Sequence, residues 1–408
     1  MAGLMLLDWV LLAAAGLVGF ILLHPRLMRQ PAWRATVTPL ASIIGSGFLV
    51  IAPLLADVAG SRAVAAMGLI VLAAFAIGHV IRFNIRHAEP LLRGEIRHRG
   101  LALSERLSGG ALLFAYVISV AFYIRILGSF ALARTPWGGE TQELMLATAI
   151  LVGIGIVGFA RGLRGLEFLE VLAVSTKLAV IAALLVGLLW HDMARGEWFA
   201  AVTPGKADLL TRLRMLGGML LVVQGFETSR YLGSEYPADL RARTMLRAQI
   251  LSGAIYVGFV ALVEPLLADL PPGKPDETAI IRLTAEVAVV LPWLLILGAL
   301  MSQFSAGVAD TLGAGGLARE ASGGRLPEKW AYPVIAAVAI GLIWSLDVFE
   351  VIAVASRAFA AYYMAQALTA FFTVSIIRCG PSRLWMQLGF LAMALFLLLI
   401  VLFALPVE

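Results

Sequence analysis

The sequence predicts an all-α polytopic membrane protein of about twelve transmembrane helices, and three observations carry that prediction. Of 408 residues, 61% are hydrophobic and 14% charged, with a mean hydropathy of +0.93. The surface of a water-soluble protein of that length needs far more charge. Apolar stretches of roughly 20 residues recur along the whole chain, each long enough to cross about 30 Å of hydrocarbon. The basic residues gather in short loops between those stretches, alternately many and few, as loops on two sides of a bilayer do. That placement also argues against a nucleic-acid partner, because the net charge of +5 forms no single basic face.

The first span is 4–23. Asp8 lies within it, no basic residue precedes the apolar run, and no small-residue cleavage site precedes His24 and Pro25. It therefore reads as a retained helix rather than a leader. The second span, 36–58, follows Arg26, Arg29 and Arg34 and is interrupted at Gly45-Ser46-Gly47-Phe48. The third, 63–84, runs into the basic inner segment holding Arg82, Arg86 and Arg93. Within that segment Glu89 to Leu103 alternates Leu, Ile and Arg, the pattern of a helix lying in the membrane surface.

Spans four to six are expected at 107–132, 142–160 and 167–190, with Arg161 and Arg164 between the last two. The seventh, 211–232, is interrupted at Gln224-Gly225-Phe226-Glu227, and a basic run from Arg241 to Arg247 leads into the eighth, 245–269. Spans nine to twelve are expected at 284–313, 331–346, 349–377 and 383–405. Trp33, Trp137, Trp190 and Trp330 sit at span ends, where interfacial indoles belong. Cys379 is the single cysteine, so no disulfide or cysteine metal site forms within one chain, and no cofactor is expected.

Twenty basic residues fall in the loops of one side and eight in those of the other. The richer side is cytoplasmic by the positive-inside rule, which places both termini outside. The arginine-rich, lysine-poor composition points to a bacterial inner membrane.

The two interrupted spans are the most informative feature. Glycine is the ordinary residue least suited to a helix, and backbone freed from a helix inside lipid survives only where protein or a water-filled cavity satisfies it. Paired breaks in corresponding places of two halves mark the substrate site of a secondary transporter. Free amides at one half-helix N-terminus and free carbonyls at the opposing end suit a zwitterion of amino-acid size. A ligand carboxylate is thus expected near Ser46, Gly47 and Phe48. Its ammonium is expected at the carbonyls of Val223, Gln224 and Gly225, with Phe226 closing over it and Tyr123 as a lid.

Lys177 lies in Val174-Ser175-Thr176-Lys177-Leu178-Ala179-Val180, too deep to snorkel to an interface. Ionisable groups at such depth are functional candidates by default. Glu227, a few residues inward of the second break, either pairs with Arg230 or shuttles a proton. Ser302 and Ser305, one turn apart, form the competing sodium site. Catalysis has no comparable signature, since neither a His-Glu-x-x-His pair nor a Gly-x-Ser-x-Gly turn occurs.

From about 36 to 377 the chain resembles the amino acid-polyamine-organocation (APC) superfamily of permeases. The matching pieces are Ile44-Gly45-Ser46-Gly47-Phe48 with Pro53, then Gln224-Gly225-Phe226-Glu227 followed by Gly233-Ser234-Glu235-Tyr236-Pro237, and Ala318-Arg319-Glu320 through Gly324-Arg325-Leu326-Pro327. The resemblance implies a 5+5 inverted repeat whose first and sixth core helices cross the midplane broken. The ten-helix core is then expected at 31–377, and the chain departs from the family pattern in an extra helix at 1–30 and in one rather than two following helices, at 378–408. The two repeats then occupy about 36–190 and 211–377. In proton-coupled members, a lysine on the fifth core helix puts its ammonium where sodium-coupled relatives hold a cation. The expected function is proton-coupled uptake of an amino acid or related small organic amine by alternating access. The alternatives are a sodium symporter or a non-transporting receptor of the same fold.

Overall fold

The computed structural model describes residues 2–45, 47–94, 98–132, 139–196, 198, 202–267, 279–345, 348–377 and 381–405. Ser46, Arg97, Trp137 and Cys379 lie outside the described residues. The described elements are helical, in the order α1 (Ala2–Leu22), α2 (Pro25–Met28), α3 (Pro31–Ile43), α4 (Gly47–Ala59), α5 (Ala63–Phe83) and α6 (Glu89–Arg93). There follow α7 (Arg99–Leu132), α8 (Glu140–Arg195), α9 (Leu209–Met219), α10 (Ala238–Leu267) and α11 (Ala279–Thr284). The chain ends with α12 (Leu291–Ala321), α13 (Glu328–Ser345), α14 (Val348–Ile377) and α15 (Pro381–Phe403).

Polarity is inverted relative to a water-soluble protein. Leu69, Leu72, Phe114, Ile156, Leu395 and Leu399 are each more than half exposed on outer helix faces, while Glu170, Lys177, Glu227 and Asp310 are buried to 1% or less. Side chains of that kind face outward only toward lipid, and charges survive there only inside the bundle.

The breaks fall where glycine allows them. Helix α3 stops at Ile43, Ile44 leaves helical geometry at φ −88°, ψ 67°, and the helix resumes as α4 at Gly47. The second break is longer. Helix α9 tightens into a 3-10 turn at Leu220–Val223, Gly225 reverses the chain at φ +112°, and a further 3-10 turn covers Phe226–Tyr231. Helix α8 would be roughly 84 Å long if straight, at 1.5 Å per residue, nearly three bilayer cores. It bends instead at Gly162, whose φ of +59° ends one pass and starts the next. Spans five and six are thus two helices that meet at a glycine corner without an intervening loop.

Two expectations change. Residues 99–103 are not part of a separate surface helix. Leu101 is buried and Ser104 Oγ meets Thr369 Oγ1 of α14 at 2.9 Å, so these residues are the first turns of α7. The expected ninth span, 284–313, starts later and runs further, as α12, with the short α11 ending ahead of it at Thr284. Asp8 has a structural partner: its Oδ1 accepts the Val290 backbone N–H at 3.0 Å, at the N-terminal cap of α12. A carboxylate there satisfies one of the helix's free amides and suits its positive end. Helix α1 is thereby fastened across the start of α12 while packing along α8.

Candidate functional site

The two breaks lie side by side. A Cβ added at Gly225 would run into Ser42 of α3, and one added at Gly47 would run into the Val222 side chain, so both glycines mark close approaches of backbone. Next to them is a cavity of about 190 Å³. At 10–15 Å³ per water-sized atom group, that is room for roughly 13 to 19 non-hydrogen atoms, enough for a small amino acid. Its walls are largely apolar, with Phe48, Phe122, Ile126, Ile181 and Phe359 among them. The cavity follows α7 from Ser119 to Phe130, about 16 Å at 1.5 Å per residue, or half a bilayer core. It therefore runs from the breaks toward the helix ends at Ala59, Leu132 and Arg195, the side the basic residues predict to be external.

The free carbonyls of the first break are held by side chains of three other helices. Lys177 Nζ donates to Ala41 O at 2.9 Å, Ile44 O at 2.5 Å and Ser305 Oγ at 2.8 Å. Ser302 Oγ meets Ile44 O at 2.6 Å and Gly45 O at 3.0 Å. Tyr256 of α10 donates to Ile43 O at 2.9 Å and reaches Val222 O at 3.4 Å, joining the two breaks. The ammonium of Lys177 thus occupies the space between the first break and the two serines. Three charge-assisted bonds, each contributing about 1.5–3 kcal/mol, are of the size needed to offset the ~2.5–3.5 kcal/mol cost of a lysine at mid-membrane.

Gly47, Phe48, Tyr123, Lys177, Gln224 and Ser302 line the cavity. Phe226 does not. The left-handed turn at Gly225 carries its ring below the floor, where it stacks on Tyr363 with centroids 5.4 Å apart. The Val223 side chain faces a small separate recess against Val71, Gln249 and Tyr256. Glu227 is fully buried beneath the break and does not pair with Arg230. Its carboxylate accepts the Gly225 N–H at 3.0 Å, the Tyr116 hydroxyl at 3.3 Å and the Tyr363 hydroxyl. Two further participants escape a reading by sequence: Ser119, one helical turn before Tyr123, and Gln303, between the two noted serines. Asp310 stands out in the sequence as a charge at depth, but its link to the site, through Ser42 and Ser119, does not. The i, i+4 spacing from Tyr123 was the available signal for Ser119.

On the opposite side of the breaks the helices are closed by buried ion pairs. Arg230 Nη2 lies 2.9 Å from Glu105 Oε1, Arg230 Nε 3.7 Å from Glu89 Oε1, and Arg241 is bidentate on Glu89 at 2.7 and 3.0 Å. Arg230 also reaches Gln366 of α14, whose Nε2 donates to Ser108 Oγ at 2.8 Å. Guanidinium forks of this kind tie five elements together at one level.

Comparisons with known proteins agree with this architecture. A family profile described as "APC superfamily transporter" matches residues 25–404. An uncharacterized protein of Aquifex aeolicus (strain VF5) is 46% identical over 370 residues, 90% of each chain. The L-methionine/branched-chain amino acid exporter YjeH of Escherichia coli (strain K12) is 25% identical over 228 residues, 54% of this chain and 53% of its own. Among solved structures, Mhp1, a nucleobase-cation-symport-1 family transporter in a closed conformation with bromovinylhydantoin bound, superimposes with a TM-score of 0.51 at 14% identity. That match covers 91% of each chain.

Proposed function

Since the chain belongs to the APC superfamily of transporters, we propose that it is a proton-coupled permease that takes up an amino acid or small organic amine by alternating access. The observation that carries this reading is the Lys177 ammonium, held by Ala41 O, Ile44 O and Ser305 Oγ between the first break and α12. A group that ties a broken helix to two others when charged, and releases it when neutral, links protonation to the conformational equilibrium. The largely apolar cavity and the relation to an exporter of methionine and branched-chain amino acids support an apolar amino acid as cargo. The same relation favours export as the second reading of direction.

In this reading residues 31–377 form the core and the flanking helices are accessory. The cavity lies on the external side, and the Arg230 and Glu89 cluster closes the cytoplasmic side of a bacterial inner membrane. The carboxylate of the cargo meets the free amides of the first turn of α4, and its ammonium meets acceptors at the second break.

The test is counterflow. Proteoliposomes loaded with unlabelled L-leucine should draw in labelled L-leucine or L-methionine against a blank of empty liposomes. Saturable binding without any counterflow of either would identify a receptor and overturn the transport reading.

A further inference from the structure

Asp310 of α12 is 1% exposed and belongs to none of the ion pairs among the described residues. Its two oxygens accept from two serines on different helices: Ser42 Oγ of α3 at 2.9 Å and Ser119 Oγ of α7 at 2.6 Å. Both serines line the cavity, and Ser42 lies directly against Gly225. A hydroxyl has one proton and two lone pairs. The Ser42 proton is committed to the carboxylate. So is that of Ser119, whose other acceptor, Ala115 O, is more distant at 3.1 Å. What these hydroxyls offer the cavity is therefore lone pairs, polarised by the carboxyl group behind them.

Beside the donors that Tyr123 and the amides of α4 bring to the lining, the floor holds further acceptors. All three N–H bonds of Lys177 are spent on protein acceptors, so it adds no donor. Independently, Gln303, 2% exposed and lining the cavity, has a side-chain oxygen without any hydrogen-bond partner. Such a group is costly to leave unmade. Three side-chain acceptors on one floor, at Ser42, Ser119 and Gln303, fit a ligand with several N–H donors and a positive charge.

We propose that Asp310, acting through Ser42 and Ser119, is the positioning residue that makes this site demand an ammonium-bearing ligand. This rests on the transport reading above and deepens it. The ammonium, not the carboxylate, is the group the side chains select, and a decarboxylated amine should be accepted where a deaminated acid is refused.

The test measures binding of three probes of one skeleton to the full chain in detergent: L-leucine, 3-methylbutan-1-amine and 4-methylpentanoate. The unmodified protein should prefer the amine to the acid by at least about tenfold, the scale of one charge-assisted hydrogen bond. In Asp310→Asn, affinity for L-leucine and for the amine should fall by about tenfold or more while the acid is unaffected, so that the preference disappears. Asp310→Glu should restore part of it. A merely structural role would weaken all three probes together. Should Asp310→Asn fail to fold, the Ser42→Ala, Ser119→Ala double variant decides, because it cuts the relay and keeps the carboxylate. A preference preserved in these variants overturns the assignment while leaving transport intact. Loss of a sodium requirement in place of the amine preference would make Asp310 a metal ligand and overturn it too. Failure of both amine-bearing probes to bind the unmodified protein would remove the transport reading and this inference together.

Discussion

Gly225 and Gly47 exclude side chains for different reasons. Gly225 stands at φ +112° with the Ser42 backbone carbon 2.6 Å from where a Cβ would be, so substitution brings both torsional strain and collision. Gly47 opens α4 and meets the Val222 side chain, part of which can yield. Gly225→Ala should therefore cost about 1–3 kcal/mol at the break. It should lower L-leucine affinity by roughly tenfold or more, with helicity by circular dichroism unchanged. Gly47→Leu should do the same, and Gly47→Ala should be milder. Unaltered affinity in both Gly225→Ala and Gly47→Leu would remove the breaks from the site. The two glycines and Lys177 were legible in the sequence because each violates its surroundings, a helix breaker or a charge in an apolar run. Asp310 violates its surroundings as well, but its role depends on Ser42 and Ser119, 268 and 191 residues away. No local pattern encodes those distances.

Helices were legible for the same reason that their tertiary roles were not. Membrane length and apolarity mark each span, since hydrocarbon imposes them. Whether a helix is continuous depends on neighbours. Residues 99–103 are joined to α7, which Ser104 ties to α14, and Gly162 brings two spans together at a corner with no loop between them. The ring of Phe226 lies against Tyr363 because of the hand of the Gly225 turn, which is invisible in sequence. Among the elements, the Arg230, Glu105, Glu89 and Arg241 cluster is the tie that holds the side away from the cavity shut. Removing one partner of a buried pair costs about 3–5 kcal/mol because the other charge is stranded. Arg230→Gln should accordingly shift the population toward a form open on that side. A cysteine at Ser108, beneath Gln366, should then react with a thiol reagent at least about tenfold faster than in the Arg230-containing background. Equal rates would show that the cluster is not a gate.

For the whole molecule, orientation and coupling decide the function. With Cys379→Ser removing the native thiol, a cysteine replacing Arg97 should escape an impermeant reagent added to intact cells. Rapid labelling would invert the assignment of twenty basic residues to the cytoplasm. Coupling is read from accumulation of labelled L-leucine in proteoliposomes under an imposed pH or sodium gradient. Each unit of pH difference supplies about 1.4 kcal/mol per proton moved, roughly a tenfold concentration ratio. If the Lys177 ammonium is the coupling charge, accumulation should follow the proton gradient and be indifferent to replacing sodium by choline. Lys177→Ala should still exchange L-leucine but no longer concentrate it. Accumulation that follows the sodium gradient and ignores the proton gradient would contradict this mechanism and place the coupling cation at Ser302 and Ser305.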